Sequence, residues 1–243
     1  APGSGKSMLA RRLPSILPPL SSYQALQVAC IQSASLSGFS SVQWSQRSFR
    51  APHHSASVAA LVGGGSDPRP GEISLAHHGV LFMDELPEFS RTVLESLREP
   101  LESKRVLISR ASRQVYFPAD FLWVAAMNPC PCGYYLDRER DCCCSLDQVK
   151  RYQNKLSGPL LDRIDIRIDV DRVSMMDLMH SSEQTEASAV IRQRVVKAQQ
   201  RQLKRQKRLN SALSSREVQA ACCLTEESLR YLNEAANQLQ LSA

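Results

Sequence analysis

The sequence predicts an α/β fold built on a parallel sheet flanked by helices, and three observations predict it. The opening "APGSGKSMLA" carries the glycines and the Lys-Ser of a loop that turns directly into a helix. "GVLFMDEL", residues 79–86, is a short continuous apolar run ending in two acids. Such a run fits a strand buried on both faces, as in a parallel sheet. "FLWVAAMNPC", residues 121–130, repeats the pattern and is apolar until Asn128.

The elements follow in chain order. Gly5, Lys6 and Ser7 fit the end of a phosphate-binding loop, with Ala1 to Ser4 in its variable positions. Gly3 and Gly5 let the backbone curl and turn its N–H groups toward phosphate oxygens. Lys6 would reach the β- and γ-phosphates, and the Ser7 hydroxyl would help ligate Mg2+. The expected nucleotide-binding set is Gly3, Ser4, Gly5, Lys6, Ser7 and Met8, joined by Asp84. The next stretch, "SMLARRLPSIL", reads as a helix aimed at the phosphates, which Pro14 should end or kink early. "LVGGGSDPRPGEISLAHHG", residues 61–79, reads as a long loop, its glycines and prolines ruling out regular structure in the first half.

Asp84 and Glu85 close the buried strand at its carboxyl end, where open α/β sheets bind ligands. An acid there holds Mg2+, and the next residue can polarise the attacking water. Asp84 and Glu85 suit those two roles, and Asn128 would orient that water or sense the γ-phosphate. The plainer reading of Asn128 is a turn residue before Pro129.

"SKRVLISRASRQVYFP", residues 103–118, reads as a hairpin of Val106 to Ile108 and Val115 to Phe117. It has no Gly and no Asn-Gly, which predicts a loop longer than two residues. Arg110 and Arg113 at its tip could contact DNA phosphates, or could simply keep an exposed turn soluble. "CPCGYYLDRERDCCC" offers Cys130, Cys132, Cys142 and Cys144 as a Zn2+ site, or as reduced, packed cysteines. Ile164, Ile166, Ile168 and Val170 alternate as in a half-exposed strand, with Arg163 just before it. Residues 191–209 read as a long basic helix, either a solvated face or a nucleic-acid contact. The histidine pairs His53-His54 and His77-His78 fit polar packing better than a metal site.

Composition narrows the classes. A chain of 243 residues is long enough for a sizeable core, and no run of eighteen apolar residues predicts a membrane span. A net charge of +6 leans toward an anionic partner. Eight cysteines without secretory context predict a reducing, cytoplasmic setting.

The stretches "PGSGKSMLARRLPSILPPL", "FRAPHHSASVAALVGGG", "RPGEISLAHHGVLFMDELPEF", "MNPCPCGYY" and "RYQNKLSGPLLDRIDI" resemble the magnesium-chelatase-like branch of the AAA+ ATPases, in particular its competence-protein group. The resemblance implies an AAA+ core over residues 1–172 and a small all-helical lid over 173–243. Both would be truncated: the first Walker A glycine and its strand are missing, as is the helix bearing the sensor 2 arginine. It places Lys6 and Ser7 in Walker A, Asp84 and Glu85 in Walker B, Asn128 at sensor 1 and Arg163 as an arginine finger. It further implies a Mg-dependent ATPase acting as a hexameric ring. The ring would be a DNA helicase or branch-migration motor in natural transformation, or a protein-remodelling ATPase like the magnesium chelatase I subunit. The truncated stretch alone is expected to hydrolyse ATP poorly.

Overall fold

A computed structural model describes residues 4–110, 113–135, 137, 140–170 and 186–239 of the chain. Gly3, and the part of the expected lid up to residue 185, lie outside them. The chain divides into two compact units, residues 1–189 and 190–243.

The first unit is organised by β4 (Val80–Met83), whose four residues are all buried. It lies between β1 (Phe49–Arg50) and β7 (Leu122–Ala125), parallel to both. Pairing runs from Val80 opposite Leu122 to Met83 opposite Ala125. Successive side chains of a strand point to opposite faces, so β4 serves two cores. Phe82 packs with Ala10 and Ala126, beside Phe49 and Val124. Leu81 and Met83 enter a larger cluster with Leu61, Ile73, Leu86, Leu94, Leu97 and Leu160. β1 reaches β4 only because residue 79 is glycine: a Cβ there would stand 2.2 Å from the Ser48 carbonyl oxygen.

Helix α1 (Lys6–Ile16) runs through Pro14 rather than ending before it. Pro14 has no N–H to give the Ala10 carbonyl, but the turn beyond it still closes, with Leu17 N–H reaching the Leu13 carbonyl at 3.3 Å. Helix α2 (Ser22–Ser33) starts from a capping box of Ser21 and Gln24.

The stretch read as loop is more regular than predicted. It holds the end of α3 (Val58–Val62), then β2 (Gly63–Gly64) paired antiparallel with β3 (Arg69–Pro70), then α4 (Glu72–Leu75). Glycine makes this ladder possible: Gly63 has φ 103°, and a Cβ there would sit 2.3 Å from the Arg69 carbonyl oxygen.

After β4 come α5 (Arg91–Glu95) and α6 (Arg98–Ser103), then the predicted hairpin, formed by β5 (Arg105–Arg110) and β6 (Arg113–Pro118). Its register runs from Arg105 opposite Pro118 to Arg110 opposite Arg113, and the turn, expected to exceed two residues, lies outside the described residues. Val106, Ile108 and Phe117 are buried in the main core, so the hairpin's register follows core packing as well as turn chemistry. α7 (Leu146–Gln153) and α8 (Gly158–Leu161) complete the described helices of this unit. The strand expected from Ile164 to Val170 does not form; no described strand pairs with it, and Ile166 and Ile168 lie exposed.

The second unit takes up the predicted basic helix as α9 (Ser188–Gln206), which starts just before the boundary. It stops three residues short of the expected end because Lys207 turns left-handed at φ 57° and bonds back to the Leu203 carbonyl. α10 (Ser215–Cys222) and α11 (Glu226–Leu239) follow. Among the described residues, no helix is long and apolar enough to cross a membrane.

Candidate functional site

Three chain segments converge at the carboxyl ends of β4 and β7. Asp84 follows β4 directly, Asn128 comes three residues after β7, and Lys6 and Ser7 form the first turn of α1. Gly5 caps α1 in the left-handed region at φ 76°, a conformation that glycine adopts without steric cost. The free N–H groups and dipole of the helix start favour an anion there.

Two side-chain contacts tie the segments together. The Lys6 ammonium donates to Asn128 Oδ1 at 3.2 Å, across 122 residues of chain, and to Ser4 Oγ at 3.2 Å. Ser7 Oγ donates to Asp84 Oδ2 at 2.5 Å, across 77 residues. A hydroxyl and a carboxylate at this distance are two hard oxygen ligands, a set that suits Mg2+. Ser4 is buried, while Met8 sits exposed beside Gly5.

Glu85 is held unusually. Its backbone is left-handed, φ 52° and ψ 48°, a conformation that costs a non-glycine residue about 1–2 kcal/mol. Two bonds compensate: Glu85 N–H to Asp84 Oδ1 at 3.0 Å and Leu86 N–H to the Ala126 carbonyl at 2.9 Å. The turned backbone leaves the Glu85 carboxylate half exposed, with His54 Nδ1 at 3.4 Å from it. The His54 ring lies tilted against His53, 4.0 Å between centroids, and meets Phe89 edge-on. Sequence reasoning missed this contact; its one signal was the histidine pair just after β1.

The Asn128 segment is braced from α7. Gln153 Nε2 donates to the Pro129 carbonyl at 3.0 Å. Tyr152 is buried, which with the Glu88 carboxylate raises its phenol above the ordinary value, while a main-chain hydrogen bond at Asn128 draws it down.

Two residues on, the four predicted cysteines gather, with all four sulfurs within 4.8 Å of one another. Ionising one thiol so close to three others makes the next harder to ionise. Accordingly Cys132 falls to about 5, drawn first by a main-chain bond at Tyr134. Cys144 rises to about 12: the main-chain bond at Cys132 pulls it down, but burial and the neighbouring sulfurs outweigh it.

The other predicted site residues are Arg163, Arg110 and Arg113. Arg163 is exposed and paired with Glu102, with no described bond to the Lys6, Ser7 and Asp84 group. Arg110 and Arg113 end the hairpin strands.

Comparison with known sequences shows the family to which the chain belongs. The family described as "Magnesium chelatase, subunit ChlI" matches residues 1–178, and "Magnesium chelatase, subunit ChlI C-terminal" matches residues 185–243. The chain is 47% identical to the YifB protein of Salmonella typhimurium over 99% of its own length and 47% of that protein's. It is 46% identical to the competence protein ComM of Haemophilus influenzae, again over 99% of the chain and 47% of the relative. The chain thus spans about half the length of the curated relatives it matches.

Proposed function

Because the chain belongs to the magnesium chelatase ChlI family of AAA+ proteins, we propose that its first unit binds and hydrolyses ATP to drive a ring-shaped motor acting on DNA. The observation that carries the reading is the pair of long-range contacts, Lys6 to Asn128 and Ser7 to Asp84. They bring a cation, a magnesium-ligand pair and a water-orienting amide to one sheet edge beside a helix amino end.

Each residue then has one task. Lys6 and the N–H groups of α1 bind the phosphates. Ser7 and Asp84 would hold Mg2+, which would supply positive charge against the phosphate oxygens. Glu85, on its strained turn, orients the attacking water and accepts its proton, and Asn128 fixes that water against the γ-phosphate. Arg163 serves a neighbouring copy in a hexameric ring, where its always-charged planar fork suits developing phosphate charge. The likeness to a competence protein, the net charge of +6 and the basic α9 support DNA as the partner, with Arg110 and Arg113 touching its phosphates.

The test uses the full-length protein, with ATP turnover measured with and without single-stranded and forked DNA. DNA should raise the rate. Glu85→Gln should keep ATP binding yet turn over roughly 10²-fold or more slowly, the usual worth of a positioned base. Lys6→Ala should lose binding. Near-normal turnover in Glu85→Gln would reject the site. An ATPase indifferent to DNA would favour the protein-remodelling activity of a magnesium chelatase subunit.

A further inference from the structure

We propose that Cys130, Cys132, Cys142 and Cys144 together hold one zinc ion, and that the ion clamps the segment carrying Asn128 to the start of α7.

The first argument is distance. Zinc bound by four thiolates at about 2.3 Å sets the sulfurs about 3.8 Å apart at the corners of a tetrahedron. Here Cys130 lies 3.3 Å from Cys132 and 3.7 Å from Cys142, and Cys132 lies 3.5 Å from Cys142. Cys144 completes the group, with no sulfur pair beyond 4.8 Å. A cluster of several irons would spread the thiolates wider, because sulfides and further irons stand between them. Four soft ligands around one point suit a single tetrahedral ion.

The second argument is the surrounding backbone. Gly133 N–H and Tyr135 N–H both point at the Cys130 sulfur, at 3.2 and 3.3 Å. Paired N–H donors offset the negative charge that four thiolates leave around a divalent ion. Cys130 itself is fully buried. Cys143 is exposed and stands outside the group, so the odd cysteine of the run is a built-in control.

The third argument is what the ion would join. Cys130 is two residues from Asn128, and Cys144 precedes Ser145, the residue that caps α7. α7 already meets the same segment through Gln153 and Pro129. A metal here closes that small circuit and holds the backbone at Asn128. The consequence for hydrolysis rests on the ATPase reading, but the metal and the clamp do not.

The experiment purifies the full-length protein without chelator and measures metal content, then strips the metal with a mercurial reagent and follows amide exchange. About one zinc per chain is expected. Cys130→Ser and Cys142→Ser should lose at least tenfold of it, and Cys143→Ser should keep it. On stripping, exchange over residues 128–135 should rise at least tenfold while β4 stays protected, a readout independent of ATP turnover. If the serine variants fail to fold, stripping the parent protein still decides. Less than about a tenth of a zinc per chain, iron in its place, or a mass lowered by a disulfide would overturn the metal site. Zinc whose removal leaves exchange over 128–135 unchanged would overturn the clamp.

Discussion

Leu81, in the middle of the first unit, is wholly buried, whereas Leu232 in the second is 50% exposed, and the contrast runs through both units. Residues 1–189 hold every buried residue of the described chain, the largest cluster among them including Leu81 and Met83 of β4. Described residues from 190 onward include none. Their helices instead show local devices: Ser214 and Glu217 form a capping box, and Arg208 reaches Glu217 at 3.4 Å. Contacts spanning the chain, such as Lys6 to Asn128, belong to the first unit because only a packed core holds distant segments to hydrogen-bond accuracy. Local capping defines helices but brings no distant residues together.

The largest effect expected from this contrast comes from truncating Leu81 and Leu232 in turn. Leu81→Ala should cost about 2–5 kcal/mol, by lost burial and a cavity under the site. Leu232→Ala should stay within about 0.5 kcal/mol. Denaturant titration of each variant decides, and comparable losses would break the contrast.

A smaller effect concerns pH. His77 is buried and its Nδ1 accepts the Asp120 N–H at 3.0 Å. Burial first, then the charge of His78, lowers its pKa from 6.5 to about 4. Below 6.5 the unfolded chain takes up a proton that the folded chain refuses until near 4. Stability from His77 is therefore complete above that range and is lost as pH falls through it. Between pH 7 and 5 the first unit should lose about 1–2 kcal/mol, and His77→Gln should flatten that slope. An unchanged slope in the variant would assign the effect to other groups.

The smallest effect tests the second unit's local devices. Ser214→Ala should cost α10 about 1 kcal/mol. Amide exchange should then quicken in residues 215–222 and stay unchanged in β4. A loss shared by both units would mean that they unfold together.

Much of the candidate site is legible in the amino-acid sequence alone. A glycine-rich turn, a lysine and a serine imply a phosphate loop by chemistry that works over a few residues. An apolar run closed by Asp84 and Glu85 implies a buried strand tip because hydrophobic pattern reports burial directly. The hairpin strands are legible for the same reason, and the basic helix from the helical spacing of its apolar residues. The family resemblance also follows from short stretches, each readable where it stands.

Tertiary structure decided whatever depended on a partner. Ile164 to Val170 alternates like a strand, yet alternation only describes side-chain direction, and a strand needs a neighbour to bond with. β1 and the ladder of β2 with β3 are two residues each, too short for any pattern, and exist because β4 and Gly63 bring backbones together. The register of the hairpin strands is set with Val106, Ile108 and Phe117 packed into the core. The meeting of His54 with Glu85, and the drawing of four oddly spaced cysteines into one group, are likewise products of folding. Sequence pattern tells which residues leave water; which groups then meet depends on how the buried faces pack.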